Sequence, residues 1–358
     1  MKIRSIAFYL PQFHPIPEND EWWGKGFTEW TNVGKAKRYF KGHYQPRVPA
    51  DLGYYDLRVP ETRKAQADMA RTYGIEGFCY WHYWFGNGKR LLERPFNEVL
   101  KSGEPDFPFC LAWANETWKG FHHGLTNRNV LIEQVYPGEK DVEAHFYEVL
   151  PAFLDKRYIT VHGKPLFTIF KPMNLPDAKA FITQWQLLAI KNGLKGIYFV
   201  GHSYNKTEYQ SLLNMSFDTV NMVRLFDFLK LKRNFFSKVF RIGMNTVFGV
   251  PSVYSFKQAS KSFSSTDDSS ITCIPTIISG WDHTPRSGKH GLILHHATPE
   301  LFEQHVTATL KNIIHKPIED RIVFIKSWNE WAEGNYMEPD LKYGSRFLEA
   351  FKRAVDKI

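Results

Sequence analysis

Apolar residues along the chain fall into two interleaved patterns. Eight short, β-rich apolar runs occupy 4–10, 77–83, 107–114, 166–170, 196–201, 218–223, 273–279 and 322–328. Between them, apolar residues recur at helical spacing over 60–73, 141–156, 177–192, 298–316 and 345–358. Pro60 opens the first helical segment and Gly74 follows it, the usual asymmetry of helix ends. Thr298-Pro299-Glu300 supplies a cap, a first-turn proline and an early acid. Eight strand–helix alternations predict an α/β protein, a single (β/α)₈ TIM barrel over 1–358. A doubly wound open sheet would normally carry a glycine-rich phosphate loop after its first strand. Here that strand runs into Pro11-Gln12-Phe13-His14-Pro15, which contains no glycine. Two long βα loops interrupt the rhythm, 12–56 after the first strand and about 224–270 after the sixth. Both leave from the strand ends where barrel active sites are built. A Ser-rich stretch, 260–270, is expected to be mobile.

Composition narrows the class. No run approaches the ~18 apolar residues of a membrane span. Residues 1–10 are too short an apolar segment for a secretory signal. The expectation is a cytoplasmic protein. Cys79, Cys110 and Cys273 are odd in number and sit in apolar runs, so buried free thiols are expected. Net charge is +9, but eight cations oppose one acid between residues 221 and 261, so that stretch alone carries +7. The rest is near neutral, which argues against a nucleic-acid partner. The segment 225–244 mixes large apolar residues with Lys230, Lys232, Arg233, Lys238 and Arg241. It suits a helix packed on the barrel, peripheral contact with an anionic membrane, or a cleft for an anionic glycan. Aromatic residues make up 16% of the chain, including 11 Trp. Several lie beside hydrogen-bonding residues, as in Glu21-Trp22-Trp23-Gly24 and Thr28-Glu29-Trp30, a pairing that suits the apolar faces and hydroxyl edges of sugars.

The strongest chemical signal is Ser327-Trp328-Asn329-Glu330-Trp331-Ala332-Glu333-Gly334, directly after an apolar strand. Glycoside cleavage uses two carboxyl groups ~5–10 Å apart, one of which must hold a proton near neutral pH. Carboxylates three residues apart are within ~10 Å even in an extended chain, and closer if it turns at Gly334. Two solvated glutamates at a strand end are the plain alternative. Trp113-Ala114-Asn115-Glu116-Thr117-Trp118 repeats the grammar after the third run and adds Glu116 as a third carboxylate. Trp281-Asp282-His283-Thr284-Pro285-Arg286 follows the seventh run. There Asp282 and Arg286 suit sugar hydroxyls and Trp281 a sugar face; a salt-bridged loop anchor is the alternative. His14, His82 and His202 lie at or near strand ends and are sugar-binding or relay candidates, or structural hydrogen-bonders. The pairs His122-His123 and His295-His296 do not have metal-ligand spacing, and no metal or cofactor is expected.

These motifs resemble a known group. Tyr9-Leu10-Pro11-Gln12-Phe13-His14-Pro15, Trp22-Trp23-Gly24, Phe27-Thr28-Glu29-Trp30-Thr31-Asn32-Val33, Phe78-Cys79-Tyr80-Trp81-His82-Tyr83-Trp84-Phe85 and Trp113-Ala114-Asn115-Glu116 resemble WbsX-like proteins. Those occur among bacterial O-antigen and capsule biosynthesis proteins and have been labelled glycosyltransferases. The group is similar to glycoside hydrolase family 99, the endo-α-mannosidases and endo-α-mannanases. Residues 281–286 look like that family's Trp-Asp-Asn-Thr-Pro-Arg loop with His283 in place of Asn. Residues 329–334 look like its Asn-Glu-Trp-His-Glu-Gly with Ala332 in place of His. The resemblance implies Glu333 as general acid/base and Glu330 as the group that assists the sugar's own 2-hydroxyl, with a 1,2-anhydro sugar and net retention. With the residue-level reading, it points to an oligosaccharide or polysaccharide substrate and to candidate binding residues Gln12, His14, Trp22, Trp23, Glu29, Trp30, Tyr80, His82, Trp113, Asn115, Glu116, Trp118, His202, Trp281, Asp282, Arg286, Asn329 and Trp331. Three functions stay open: an endo-acting hydrolase, a transferase using an activated sugar donor on the same pocket, and a non-catalytic glycan-binding barrel.

Overall fold

The computed structural model describes residues 3–120, 129–230 and 243–358. Eight parallel strands close into a barrel: β1 (Arg4–Tyr9), β2 (Gly77–His82), β3 (Phe109–Trp113), β4 (Lys164–Ile169), β5 (Tyr198–Ser203), β6 (Thr219–Met222), β7 (Cys273–Ile278) and β8 (Ile322–Lys326). On β1, Arg4 is in register with Ile322 of β8 and Ile6 with Gly77 of β2, while Leu111 of β3 meets Phe167 of β4. All eight apolar runs thus become barrel strands. They are apolar on both faces because one face fills the barrel and the other lies under helices.

Side-chain alternation decides which residue goes where. Phe8 points inward: its ring stacks on Trp81 and on Phe324, each at 4.8 Å, and reaches His202 across the barrel at 5.6 Å. Tyr9 and Tyr80 point outward. Tyr9 Oη donates to Gln66 Oε1 at 2.7 Å, and the Tyr80 ring packs 5.3 Å from Phe96. Each fully buried ring of this kind contributes about 2 kcal/mol of transfer free energy.

The outer layer is α1 (Pro60–Thr72), α2 (Arg94–Ser102), α3 (Glu139–Phe153), α4 (Ala178–Lys191), α5 (Tyr209–Asn214), α6 (Pro299–Ile313) and α7 (Arg346–Asp356). The expected Thr298 cap forms, accepting from Leu301 N with Pro299 behind it, and Asp177 likewise accepts from Ala180 N. α2 and α5, nine and six residues long, add to the sequence-based pattern. The three cysteines are free and buried.

Between β6 and β7 the described residues form short helices and a strand, Ser252–Ser255, that pairs in parallel with Leu292–His295. Val223, Leu225, Phe228, Phe256, Phe263 and Trp281 join in a second apolar cluster there, beside a buried Arg224–Asp268 ion pair. The stretch 260–270, expected to be mobile, forms two short helical turns. Ser265 and Asp268 form a capping box, and Asp268 is fully buried. Most of the basic stretch 225–244, namely 231–242, lies outside the described residues, as do His122 and His123. Among the described residues no helix is long and apolar enough to cross a membrane.

Candidate active site

The chain leaves β8 and folds back on itself at once. Asn329–Glu330 pairs antiparallel with Asn335–Tyr336, and Trp331–Glu333 forms a single helical turn between them. Gly334 makes the return possible. Its φ is +65°, and a Cβ there would lie 2.9 Å from the backbone nitrogen of Asp282. Asn329 ties this hairpin to β1: its Oδ1 accepts Leu10 N–H at 2.7 Å and its Nδ2 donates to Leu10 O at 3.0 Å. Trp331 Nε1 donates to buried Glu338 at 2.6 Å, behind the turn.

The result is that Glu330 and Glu333, three residues apart, aim into one pocket. Lys326 Nζ lies 3.2 Å from Glu330 Oε2 and 3.4 Å from Glu333 Oε2. Those two oxygens are therefore no more than about 6.6 Å apart, the sum of the two lengths. Glu333 has further partners. Arg286 Nη1 donates to its Oε1 at 2.6 Å, Asn335 Nδ2 to its Oε2 at 3.2 Å, and His283 Nε2 stands 3.7 Å away. Arg286 also holds fully buried Glu29, with Nη2 at 3.0 Å.

Burial and the neighbouring charge of Glu333 push the Glu330 carboxyl up to about 7, against the pull of Lys326. Burial also acts upward on Glu333, but Lys326 and Arg286 outweigh it and hold that carboxyl well below the usual range. Two such groups titrate as a pair. Near neutral pH the pair holds one proton, and the partners favour its residence on Glu330. The resemblance implies the opposite order, with Glu333 as the acid.

The pocket has a volume of about 260 Å³ and draws on seven of the eight strand ends. Leu10 and Gln12 follow β1; Trp81 is on β2 and Tyr83 follows it. Ala114, Glu116, Thr117 and Trp118 follow β3, Phe170 follows β4 and Tyr204 follows β5. Trp281, His283 and Arg286 follow β7, and Lys326 closes β8. Aromatic walls around a carboxyl pair suit a sugar ring, which offers C–H faces and hydroxyl edges. A smaller cavity of about 90 Å³ lies beyond Asp282, between His43, Arg47 and Tyr343. Among the carboxylates that line it, Asp340 accepts from Tyr336 Oη and from the backbone nitrogens of Lys342 and Tyr343.

Of the sequence-based site residues, Gln12, Glu116, Trp118, Trp281, Arg286, Glu330 and Glu333 converge on this pocket. Glu29 stands behind Arg286. Trp22 packs edge-on against Trp118 at 6.1 Å, and Trp23 packs on Trp22 and Phe27. The others lie elsewhere. Tyr80 and His82 alternate with inward Trp81, so both face out, and His82 Nε2 meets His145 Nε2 of α3 at 2.8 Å. Trp113 faces out for the same reason, stacked on Phe181 of α4 with Nε1 on Trp84 O at 2.9 Å. Asn115 binds the backbone of Lys171 through both side-chain atoms. His14 is buried on Pro11 O at 2.9 Å, and Trp30 Nε1 donates to Tyr55 O at 2.7 Å. His202 lies inside the barrel against Phe8 and Phe170. Asn329 and Trp331 serve the hairpin. Asp282 is the loop anchor of the alternative reading. It is fully buried, and its carboxylate accepts from His43, Gln45 and Thr284. Sequence reasoning did not single out Lys326, Phe170 or Tyr204 as site residues. Lys326 carried a signal, a lysine closing an apolar strand just before two glutamates. Among the described residues no group of three or more His, Cys, Asp or Glu is placed to hold a metal ion.

The family model described as Glycosyltransferase WbsX matches residues 5–351. The chain belongs to the WbsX glycosyltransferase family. Two relatives named uncharacterized protein WxcX, from two strains of Xanthomonas campestris pv. campestris, are 35% identical over 358 residues, 98% of this chain and 49% of each relative. The chain thus spans about half the length of these curated relatives. Among solved structures, the WbsX barrel resembles a family 99 (GH99) endo-α-mannosidase from Bacteroides thetaiotaomicron, with a TM-score of 0.57, 14% identity, and coverage of 100% of this chain and 98% of that one. It also resembles a glycoside hydrolase-like protein with a TM-score of 0.60, 15% identity, and coverage of 98% and 93%. At such identities the likeness is one of fold.

Proposed function

We propose that this WbsX-family barrel is a carbohydrate-active enzyme of the glycosidase type. In this reading it cleaves α-mannoside-type or related linkages within a bacterial surface polysaccharide, with net retention, through Glu330 and Glu333. The observation that carries the proposal is the single ammonium of Lys326 in contact with both carboxylates, inside an aromatic-walled pocket at the strand ends. Carboxyl groups this close suit a retaining route better than an inverting one, which needs room for a water between acid and base.

The protonated member of the pair gives its proton to the glycosidic oxygen as that bond breaks. The ionised member takes the proton of the sugar's 2-hydroxyl as its oxygen closes on the anomeric carbon. Water then opens the 1,2-anhydro sugar, its proton returns to the first carboxylate, and the 2-oxygen recovers its own from the second. Two inversions leave the configuration unchanged, and the pair ends as it began. General acid–base help of this kind contributes about 10²–10⁴-fold.

The family's description favours a second reading, transfer from an activated sugar donor. Against it, Arg286 and Lys326, the cations of the pocket, are already engaged by glutamates, whereas a donor diphosphate needs cations to meet its charge. The test is incubation with mannose-containing polysaccharides and, separately, with nucleotide-sugars plus acceptor, read by mass spectrometry and by NMR of the first anomer released. Shortened glycans with retained configuration, lost in Glu333→Gln and Glu330→Gln, support the hydrolase. Donor-dependent extension would replace it with the transferase. Sugar binding without turnover in wild type would leave a glycan-binding barrel.

A further inference from the structure

Segments of the loops after β1, β6 and β7 join at the strand ends, and none of them carries an acid. Residues 34–50, 243–266 and 283–298 contain no Asp or Glu. The structure ties them to one another. The Phe40 ring meets that of His295 edge to face at 5.1 Å, and a Cβ added at Gly288 would come within 3.3 Å of Tyr39 Oη. Asn245 Nδ2 donates to Lys289 O at 2.6 Å and to Val250 O at 3.0 Å, and Ser252–Ser255 pairs with Leu292–His295. The unit is basic on its outer side, where Lys37, Arg38, Lys41, Lys289 and His290 are exposed. It also presents apolar groups. Val247 is 72% exposed and Phe248 70%, the one consecutive pair among the exposed large apolar residues of the described chain. We propose that this rim is a lipid-binding surface that seats the protein on an anionic bilayer: Val247 and Phe248 enter the boundary between headgroups and acyl chains, and the lysines of the neighbouring loops meet the lipid phosphates.

A single exposed apolar residue needs no explanation, but this pair is held outward by a brace. Gly249 N–H donates to Asn245 O at 3.0 Å and Val250 N–H to Met244 O at 3.2 Å, which closes the turn behind them. Asn245 then pins that turn to the loop after β7. The lysines are free to meet an anion. Among the described residues no carboxylate pairs with Lys37, Lys41 or Lys289, whereas Lys206 and Lys230 are paired with Asp267 and Asp227. A soluble anionic chain would use the cations and leave the apolar pair in water. An apolar protein face would use the pair and leave the cations unmatched. An anionic bilayer uses both. The loop after β7 also links this surface to the site, since it carries Arg286 into the pocket and Lys289 to solvent three residues later. Seated this way, the protein holds its pocket close to the lipid surface.

The inference rests on the surface alone, and its test needs no turnover. The full chain is co-sedimented with vesicles of equimolar phosphatidylglycerol and phosphatidylcholine, and with vesicles of phosphatidylcholine, at low and high salt. The expected result is binding to the anionic vesicles that weakens with salt and is at least tenfold weaker on the neutral ones. The triple variant Lys37→Gln, Lys41→Gln, Lys289→Gln should lower partitioning about a hundredfold, each cation near an anionic surface contributing about fivefold. The double variant Val247→Ser, Phe248→Ser should lower it about tenfold. Circular dichroism checks the fold; should the triple variant fail it, Lys41→Gln and Lys289→Gln are tested singly, each with an expected loss of about fivefold. No binding to anionic vesicles, equal binding to neutral ones, or equal partitioning of wild type and either variant overturns the proposal. So does a protein that leaves the vesicles free and binds polygalacturonate through the lysines alone, which would assign the rim to an anionic glycan.

Discussion

Replacing Asp282 by asparagine separates an anchor from a sugar contact, because the two roles predict different losses. The carboxylate is fully buried. Its Oδ2 accepts from His43 Nε2 and Gln45 Nε2, both at 2.8 Å, and its Oδ1 accepts from Thr284 N at 3.0 Å and Thr284 Oγ1 at 2.6 Å. Neither partner of Oδ2 can turn to receive an amide. His43 Nδ1 accepts Tyr39 N–H at 3.3 Å, which leaves the ring proton on Nε2, and Gln45 Oε1 accepts Arg47 N–H at 3.2 Å. An asparagine that keeps its oxygen toward Thr284 aims its NH₂ at two donors. Each buried group left without a partner costs about 1–3 kcal/mol, so Asp282→Asn should destabilise by about 2–6 kcal/mol. That is a large share of the ~5–15 kcal/mol that holds a typical protein folded.

The damage should reach the catalytic turn, since Asp282 N–H donates to Glu333 O at 2.7 Å. Urea denaturation of wild type and variant, followed by tryptophan fluorescence, measures the loss. Burial pushes Asp282 up, but His43 and Arg47 outweigh it, so its value in the fold lies below the ordinary 3.8. The stability it confers is therefore complete above about pH 4 and is lost as pH falls further, where the gap between the two proteins should narrow. A variant within about 1 kcal/mol of wild type that nonetheless binds oligosaccharide poorly would refute the anchor and restore Asp282 as a sugar ligand.

Glu338, raised to about 7 by burial, binds a proton in the fold that the unfolded chain has already released, so stability should fall by up to about 3 kcal/mol between pH 4.5 and 7. Glu338→Gln removes that slope, and thermal melts at pH 5 and pH 8 compare the two. Arg286→Lys should destabilise by about 2 kcal/mol and abolish turnover, because one ammonium cannot span Glu29 and Glu333 as the guanidinium does; denaturant midpoints and the polysaccharide assay read both effects. Trp113→Ala should cost about 3–5 kcal/mol yet leave oligosaccharide affinity unchanged by calorimetry, since the ring packs under α4 and not in the pocket.

Much of the barrel was legible in the chain because its signals are local. Apolar runs of strand length, helical spacing between them, Pro60 with Gly74, and the Thr298 cap each act over a few residues, and the structure places strands and helices there. The site was legible in part. Glu330 and Glu333 announce themselves by their spacing after an apolar strand, and Trp118, Trp281 and Arg286 by their loops. Strands buried on both faces hide their phase, however. In Phe78-Cys79-Tyr80-Trp81-His82 nothing local distinguishes inward Trp81 from outward Tyr80 and His82, since both faces are apolar. Closure of the barrel and contact with α2 and α3 decide it.

The chain by itself determined the succession of strands and helices, the long loops at the strand ends, and the pair of glutamates at the last one. Only the tertiary structure decided which side chains meet there. Ionisation in a buried pocket depends on partners distant in sequence: Arg286 arrives from 47 residues away, Glu29 stands 257 residues before that arginine, and the Lys326 ammonium lies between both acids. Charge, unlike periodicity, acts through space.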